Sequence, residues 1–461
     1  MRKTKIIATI GPASLHPVKI KNMIKEGVDI IRLNFSHGDH EEKETMYNYV
    51  RTVEKELHRF IPIIADLTGP TIRLGSVDNF ILNRGEEAFI INNQKGEASK
   101  KEIPLPNSLV YESLDTGDLI LIDDGEVQIK VQEVLEDKIK VKALNEGEIR
   151  SKVSVVIPGK DLKTPAITEK DIRDLEFITK REFNYIALSF VRSKKDIQEL
   201  RKILKEMNAD YMKIIAKIET QAAVKNIEEI IKESDAIMIA RGDLGMEFPL
   251  EEVPAIQKKI AELCLRYGKP SILATQILDS MVHNPVPTRA EVADVFVAIG
   301  EGIGALMLSN ETTIGKYPIE AVSWLRRIIE ASEREVPPPR ADGYDETIYE
   351  KFAKGIVLLA ESVNAKILAY TKAGMTALRL SRYRPKTDVY VVTGDQNVAR
   401  QINLLWGIQP LYCALEDINK ALDDQLKHLK ECGEFRKGDI VLLTVGMREE
   451  ATDLARIEII E

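Results

Sequence analysis

A lysine and a glutamate stand two residues apart at the end of the apolar run MKIIAKIE (212–219), and an aspartate, Asp243, ends a second run, DAIMIARGD (235–243). A strand sends alternate side chains to one face, so Lys217 and Glu219 point the same way. Two carboxylates and an ammonium at adjacent strand ends are costly to pack without a role. Glu219 and Asp243 are suited to sharing a hard cation such as Mg²⁺, which takes carboxylates, waters and substrate oxygens. Lys217, with Arg32 from a third run, DIIRLNFS (29–36), would then face the anionic groups such a cation collects. Gly242 and Gly245 flank Asp243 and let backbone approach that ligand closely. Arg241-Gly242-Asp243 also spells an adhesion signal; beside these residues Asp243 reads as a metal ligand and the tripeptide as coincidence.

These residues need elements to hold them. Eight short, β-branched runs alternate with amphipathic stretches through the first 335 residues: 5–11, 29–36, 61–67, 184–190, 212–219, 235–243, 269–276 and 303–311. Runs this continuously apolar are buried on both faces, as parallel strands are. Eight strand–helix pairs are the count of a closed (β/α)₈ barrel, an α/β TIM barrel, whose chemistry gathers at the C-terminal strand ends. The expected ends are polar: Arg32, Asn34 and Ser36 in the second run, Asp66 in the third, Ser189 in the fourth, Asp243 in the sixth, Thr275 and Gln276 in the seventh, Ser309 and Glu311 in the eighth. Ser189 or Gln276 alone reads more readily as an ordinary strand end meeting solvent. Thr288 and Glu291 in PTRAE (287–291) have capping-box spacing and mark a helix start.

One link is too long. Between Leu67 and Asn184 lies a stretch with strand alternation and an Asp124-Gly125 hairpin turn, read as a small all-β domain inserted after strand three and placed to act as a lid. REVPPPRADGYDE (334–346) reads as a linker, and KILAYT, DVYVVTG, QPLYCAL and DIVLLTVG beyond it as a C-terminal α/β domain. The expected units are a barrel of 1–69 and 166–336, an insert of 70–165 and a C-terminal domain of 345–461.

Composition narrows the function classes. The chain has 461 residues, and its 65 basic against 73 acidic side chains give a net charge of −8 without a basic block, which argues against a nucleic-acid partner. No apolar stretch approaches the roughly 20 residues of a membrane helix, and IIATI is too short for a signal peptide. Three widely spaced cysteines, Cys264, Cys413 and Cys432, fit no disulfide framework or zinc pattern and suggest reduced thiols in the cytoplasm.

The ordered segments KIIATIGPAS, RLNFSHG, AKIE, ARGDLG, ATQILDSM, PTRAE and MLSNET resemble those of the pyruvate kinase family, and the resemblance runs over nearly the whole chain. It implies transfer of the phosphoryl group of phosphoenolpyruvate to ADP, with Mg²⁺ or Mn²⁺ held by Glu219 and Asp243. It implies catalytic roles for Arg32 and Lys217 at the phosphoryl group and places Thr275 at the enolate face. Gly242, Asp243 and Ser189 join them around the substrate, while His37, Arg73 and Asn34 fall on the nucleotide side. Asn34, Ser36, Asp66 and the carbonyl of Leu67 would cage a monovalent cation, usually K⁺. It also suggests a homotetramer and a phosphorylated allosteric effector near Thr371, Lys372, Gly374 and Thr376 in TKAGMTALRLSRYRP (371–385); an ordinary capped helix start accounts for those four residues equally well.

The chain departs from the family pattern at three places. DLTGPTIR (66–73) stands where DTKGPEIR is common, so Thr71 replaces a carboxylate whose charge a cation would offset; this points toward a weak or absent K⁺ requirement. Asn310 stands where glycine is usual, and Thr220 where asparagine is. Two other readings share parts of the pattern: a Mg²⁺-dependent aldolase or lyase, which needs neither lid nor C-terminal domain, and a catalytically silent paralogue that binds nucleotide or effector. Intact Arg32, Lys217, Glu219, Asp243 and Thr275 weigh against the second.

Overall fold

A computed structural model describes residues 2–123, 125–160, 164–340, 347–415, 417–445 and 454–461. Eight parallel strands close into a barrel: Lys5–Thr9, Ile30–Asn34, Ile63–Asp66, Tyr185–Leu188, Lys213–Ile218, Ala236–Ala240, Ser271–Ala274 and Ala305–Leu308, each paired with its chain neighbours and the last with the first. Nearly every strand residue is buried, because helices cover the outside while the barrel interior is packed by Ile7, Ile64, Tyr185, Ile215, Met238 and Met307 among others. Thr288 caps the helix Arg289–Gly300 through a capping box with Glu291, and Thr168 does the same with Asp171 for Glu169–Ile178.

All eight strands are shorter than their sequence runs, so Ser36, Ser189, Glu219, Thr275 and Gln276 fall just past their strands, and in two cases the expected end residue lies in a helical turn. The sixth stops at Ala240, and Arg241–Glu247 forms a helical turn, so Asp243 sits on a short helix instead of a strand end. The eighth stops at Leu308, and Glu311 lies in the helical turn Asn310–Thr313. Apolar runs end where their strands do, but the polar residues that follow carry no period to separate strand from turn.

The insert follows the third strand. Its six-stranded sheet and two-stranded ribbon have their own core, with Leu82, Ile90, Ile120, Ile129 and Val141 fully or almost fully buried. Asp124 of the expected Asp124-Gly125 turn lies outside the described residues; the strands on either side, Leu119–Ile122 and Val127–Val134, pair antiparallel. In the C-terminal domain, Lys366–Tyr370, Val389–Thr393, Ile408–Tyr412 and Ile440–Val445 form a parallel sheet. A fifth strand, Leu454–Ile459, adds antiparallel to it and is absent from the sequence reading. Its residues are mostly exposed, so LARIEI carries no burial pattern to betray it. This domain plugs the base of the barrel: Leu404 packs into the interior cluster and the Tyr185 hydroxyl donates to the Gln401 carbonyl at 2.6 Å.

Candidate active site

Strand register brings the polar ends level, with Asn34 opposite Asp66 and Asp66 opposite Ala187. From these ends the side chains converge on one ion cluster. Lys217 Nζ lies 3.0 Å from Glu219 Oε1 and 3.3 Å from Asp66 Oδ1, and it donates to Ser189 Oγ at 2.7 Å. Arg32 Nε donates to Asp66 Oδ2 at 2.6 Å, and its Nη1 to Thr9 Oγ1 at 3.1 Å. The Ser189 hydroxyl in turn donates to the Leu67 carbonyl at 2.7 Å. Asp66, 1% exposed, thus ties both cations together.

Burial by itself would discharge Lys217, but Asp66, Glu219 and Asp243 outweigh it and raise its pKa, so the ammonium is held charged. Burial likewise opposes ionisation of Asp66, and Arg32 and Lys217 overcome it and lower its pKa. Glu219 is fixed a second time, its Oε2 accepting from the Phe190 N–H at 2.7 Å; Phe190 adopts a left-handed backbone, φ +54°, at that point.

Thr275 and Gln276 are also left-handed, at φ +69° and +54°. Such backbone costs on the order of 1–3 kcal/mol per residue and persists where surroundings over-determine it. Arg241 supplies the restraint. Its Nη2 donates to the carbonyls of Thr275 and Gln276 at 3.1 and 2.9 Å, while Nη1 grips both oxygens of Asp294. The Thr275 hydroxyl accepts from the Gly242 N–H at 2.9 Å, locking it to the helix that carries Asp243. Arg241 thus has a structural task that the sequence reading missed; the cue was a charged residue directly before a glycine at a strand end.

A cleft of about 910 Å³ opens over the cluster, lined by Arg32, Asn34, His37, Gly242, Asp243 and Thr275 among others. Partial burial, then Arg73, Lys43, Arg32 and Lys170, lower the pKa of His37 and leave it neutral at pH 7. A second cleft, of about 290 Å³, lies between insert and barrel and includes Thr71, Arg73, Lys160 and Asp243. The two clefts meet at Asp243. The insert is fastened there by Glu247, whose Oε2 accepts from the Gly159 N–H at 3.0 Å. Arg73 lies at the insert's edge, donating to the Lys152 carbonyl at 3.0 Å.

Of the four residues assigned to a monovalent cation, Asp66 is engaged by Arg32 and Lys217, and Leu67 by Ser189. Asn34 Oδ1 accepts from the Ser36 N–H at 3.0 Å. Next to them, Lys170 Nζ donates to the Phe35 carbonyl at 2.6 Å, to Thr68 Oγ1 at 3.1 Å and to Asp174 Oδ2 at 2.7 Å. Asn310 is not among the residues with positive φ, so replacing glycine there costs no strain. Thr220 caps the helix Gln221–Lys225 by accepting from the Ala223 N–H at 3.1 Å, a duty asparagine performs equally. Glu311, expected at a strand end, is 1% exposed and accepts from the backbone N–H of Leu278 and Ser309, which makes it a loop brace. Far from this mouth, Gly374 (φ +89°) begins the helix Met375–Arg382 and its N–H donates to Thr371 Oγ1 at 3.0 Å; Thr376 is buried and Lys372 exposed.

The donor set suits a hard divalent cation. Glu219 and Asp243 bring carboxylates without thiol or imidazole, and among the described residues no group of three or more His, Cys, Asp and Glu closes a cage. A two-carboxylate site beside an open cleft leaves coordination positions for substrate oxygens and water, as Mg²⁺ prefers. A closed parallel barrel with a fixed ammonium, a guanidinium and such carboxylates at its mouth defines an enzyme that handles an anionic substrate with cationic help.

Comparison with known proteins agrees. Residues 1–322 match the family model "Pyruvate kinase, barrel domain" and residues 350–458 match "Pyruvate kinase, alpha/beta domain". A pyruvate kinase of Staphylococcus aureus is 39% identical over 97% of this chain and 78% of its own length; that of Staphylococcus epidermidis is 37% identical over 100% and 81%. The crystal structure of pyruvate kinase from Pyrobaculum aerophilum superposes with a TM-score of 0.89 at 34% identity, covering 100% of this chain and 99% of that one. A pyruvate kinase from Cryptosporidium parvum gives 0.91 at 33% identity, covering 100% and 96%. The chain belongs to the pyruvate kinase family. It is a glycolytic phosphotransferase, moving the phosphoryl group of phosphoenolpyruvate to ADP in a reaction that needs a divalent cation. Among the described residues no helix is long and apolar enough to cross a membrane.

Proposed function

We propose that Arg32 and Lys217 hold the transferring phosphoryl group, and that Glu219 and Asp243 hold the divalent cation, Mg²⁺ or Mn²⁺. The observation that carries this reading is the Lys217 ammonium, kept charged between Asp66 and Glu219 beside an open cleft. Phosphoryl transfer demands positioning and charge stabilisation more than covalent chemistry, and a preorganised cation in a dry site supplies both. When bound, the divalent cation adds positive charge that stabilises the oxygen anion left on the three-carbon product. Thr275 stands at the face where that product takes its proton, and backbone at Gly242 and Asp243 meets its carboxylate. Ser189 orients Lys217 through their 2.7 Å hydrogen bond. On the nucleotide side stand Asn34, His37 and Arg73, with the insert closing over ADP.

K⁺ has a reduced role in this reading. Thr71 removes a negative charge, Asp66 is already neutralised by two cations, and Lys170 is a tethered ammonium next to the cage. The deciding assay is pyruvate formation from phosphoenolpyruvate and ADP with Mg²⁺, run in K⁺ and in a large inert organic cation at equal ionic strength. Comparable turnover in both is expected, and chelation of the divalent ion abolishes both. Activity confined to K⁺ would reject the reduced role while leaving the enzyme assignment standing.

The enzyme acts as a cytoplasmic homotetramer, and the Thr371–Thr376 turn accepts the phosphate of an allosteric effector. Such an effector is expected to shift the phosphoenolpyruvate saturation curve of the parent and not of a Thr371→Val, Thr376→Val variant. An equal shift in both places its binding elsewhere.

A further inference from the structure

On the face of the barrel opposite the active site, a cleft of about 800 Å³ lies between the first strand's approach, the last barrel helix with its proline linker, and the C-terminal domain. Arg384 stands out among its walls. It is 5% exposed, its Nη2 donates to the Gly302 carbonyl at 2.7 Å, and its guanidinium carbon lies 4.7 Å from the centre of the Trp406 ring. Its Nη1 is buried with no hydrogen-bond partner. Among the described residues, the other buried polar side-chain atoms in that condition are arginine Nε atoms and one tyrosine hydroxyl, each a single donor, whereas a terminal guanidinium nitrogen leaves two.

Four acids line the cleft: Glu335 is exposed, Glu330 lies 3.5 Å from Arg326 Nη1, and the other two are engaged within the chain. Glu333 accepts from the backbone N–H groups of Lys3 and Thr4 at 2.9 and 2.6 Å, and Asp388 lies 3.3 Å from Lys3 Nζ. Burial lowers the pKa of Arg384 to about 9, with Glu333 and Cys264 opposing it. A buried charge with open donors and no ion pair is rare in native proteins, and a partner from outside the chain resolves it.

We propose that this cleft binds a small metabolite through an oxyanion, phosphate or carboxylate, with the Arg384 side chain turning its unpartnered Nη1 outward to receive it and Trp406 as an adjoining wall. The site is separate from the active-site cluster and from the Thr371 turn. Because its walls come from both barrel and C-terminal domain, occupancy ties the two together.

The chain has two tryptophans, so a Trp324→Phe background leaves Trp406 as the sole indole, packed against the guanidinium in question. Inorganic phosphate and acetate are titrated separately into the full-length protein, with sodium chloride at matched ionic strength as reference. A saturable change in Trp406 emission is expected with one or both anions, and which one responds assigns the ligand class. Arg384→Met is expected to weaken it at least tenfold; Arg384→Gln, which keeps an amide donor for Gly302, carries the same expectation where the methionine variant does not fold. A response no different from chloride, or one unchanged in a folded Arg384 variant, overturns the proposal.

Discussion

Lys217→Met is expected to lower kcat by roughly 10²–10³-fold, the loss typical of removing one preorganised stabilising donor from an acyl- or phosphoryl-transfer site. The argument rests on geometry that survives the change. Asp66 keeps Arg32 at 2.6 Å, and Glu219 keeps the Phe190 N–H at 2.7 Å, so the proposed divalent site and the strand ends stay in place. What disappears is a positive charge already desolvated before substrate arrives, which water replaces poorly. Because charge moves as the phosphoryl group departs, the deficit falls on kcat more than on KM. Lys217→Arg does not restore the rate: a planar fork cannot occupy the point where one ammonium meets Asp66, Glu219 and Ser189 together. Steady-state kinetics with circular dichroism as a folding control decide the matter. Near-normal turnover in a folded Lys217→Met variant would sink the role assigned to Lys217.

How much of this was legible in the sequence follows from what each feature leaves in a linear chain. The barrel strands are continuous apolar runs, and burial on both faces writes itself into composition, so all eight could be read. The final strand, Leu454–Ile459, is exposed and so wrote nothing. Arg32, Lys217 and Glu219 were visible as polar residues breaking apolar runs at strand ends. Arg241 was visible too, but the contacts that give it meaning, to Thr275, Gln276 and Asp294, lie 34 to 53 residues away in the chain and depend on barrel closure. Lys170 is similar: nothing in TEKDIRDLEF says that its ammonium meets Phe35, 135 residues earlier. Spacing reveals what one element holds on one face; what two elements assemble needs the fold.

The same distinction separates the alternatives. A metal-dependent lyase shares the carboxylate–cation logic of Glu219 and Asp243, but it has no use for an insert fastened by Glu247 to the helix that carries Asp243. That attachment joins the insert to the helix proposed to bind the cation, which suits a reaction between two bound substrates that must exclude water.

Asp66→Asn is expected to be the most damaging single change in the cluster, costing about 3–5 kcal/mol of stability, the range for breaking a buried ion pair from one side. Asp66 faces cations on both oxygens, Arg32 on one and Lys217 on the other. Asparagine offers an acceptor to only one of them and turns an N–H₂ donor toward the other, leaving a buried cation opposed by a donor. The pH dependence carries a definite sign. Arg32 and Lys217 hold the pKa of Asp66 below its ordinary 3.8 despite the opposing pull of burial. A carboxylate whose folded pKa is depressed contributes stability that is fully present above its unfolded value and is lost as pH falls through the folded one. The gap between parent and variant is therefore widest at neutral pH and narrows below about pH 4, as the parent's own Asp66 takes up a proton. Urea-unfolding midpoints at pH 7 and at successively lower pH test this directly. A gap that stays constant through the acid range would mean that the damage comes from packing, and that the charge of Asp66 is not what holds Arg32 and Lys217 in place.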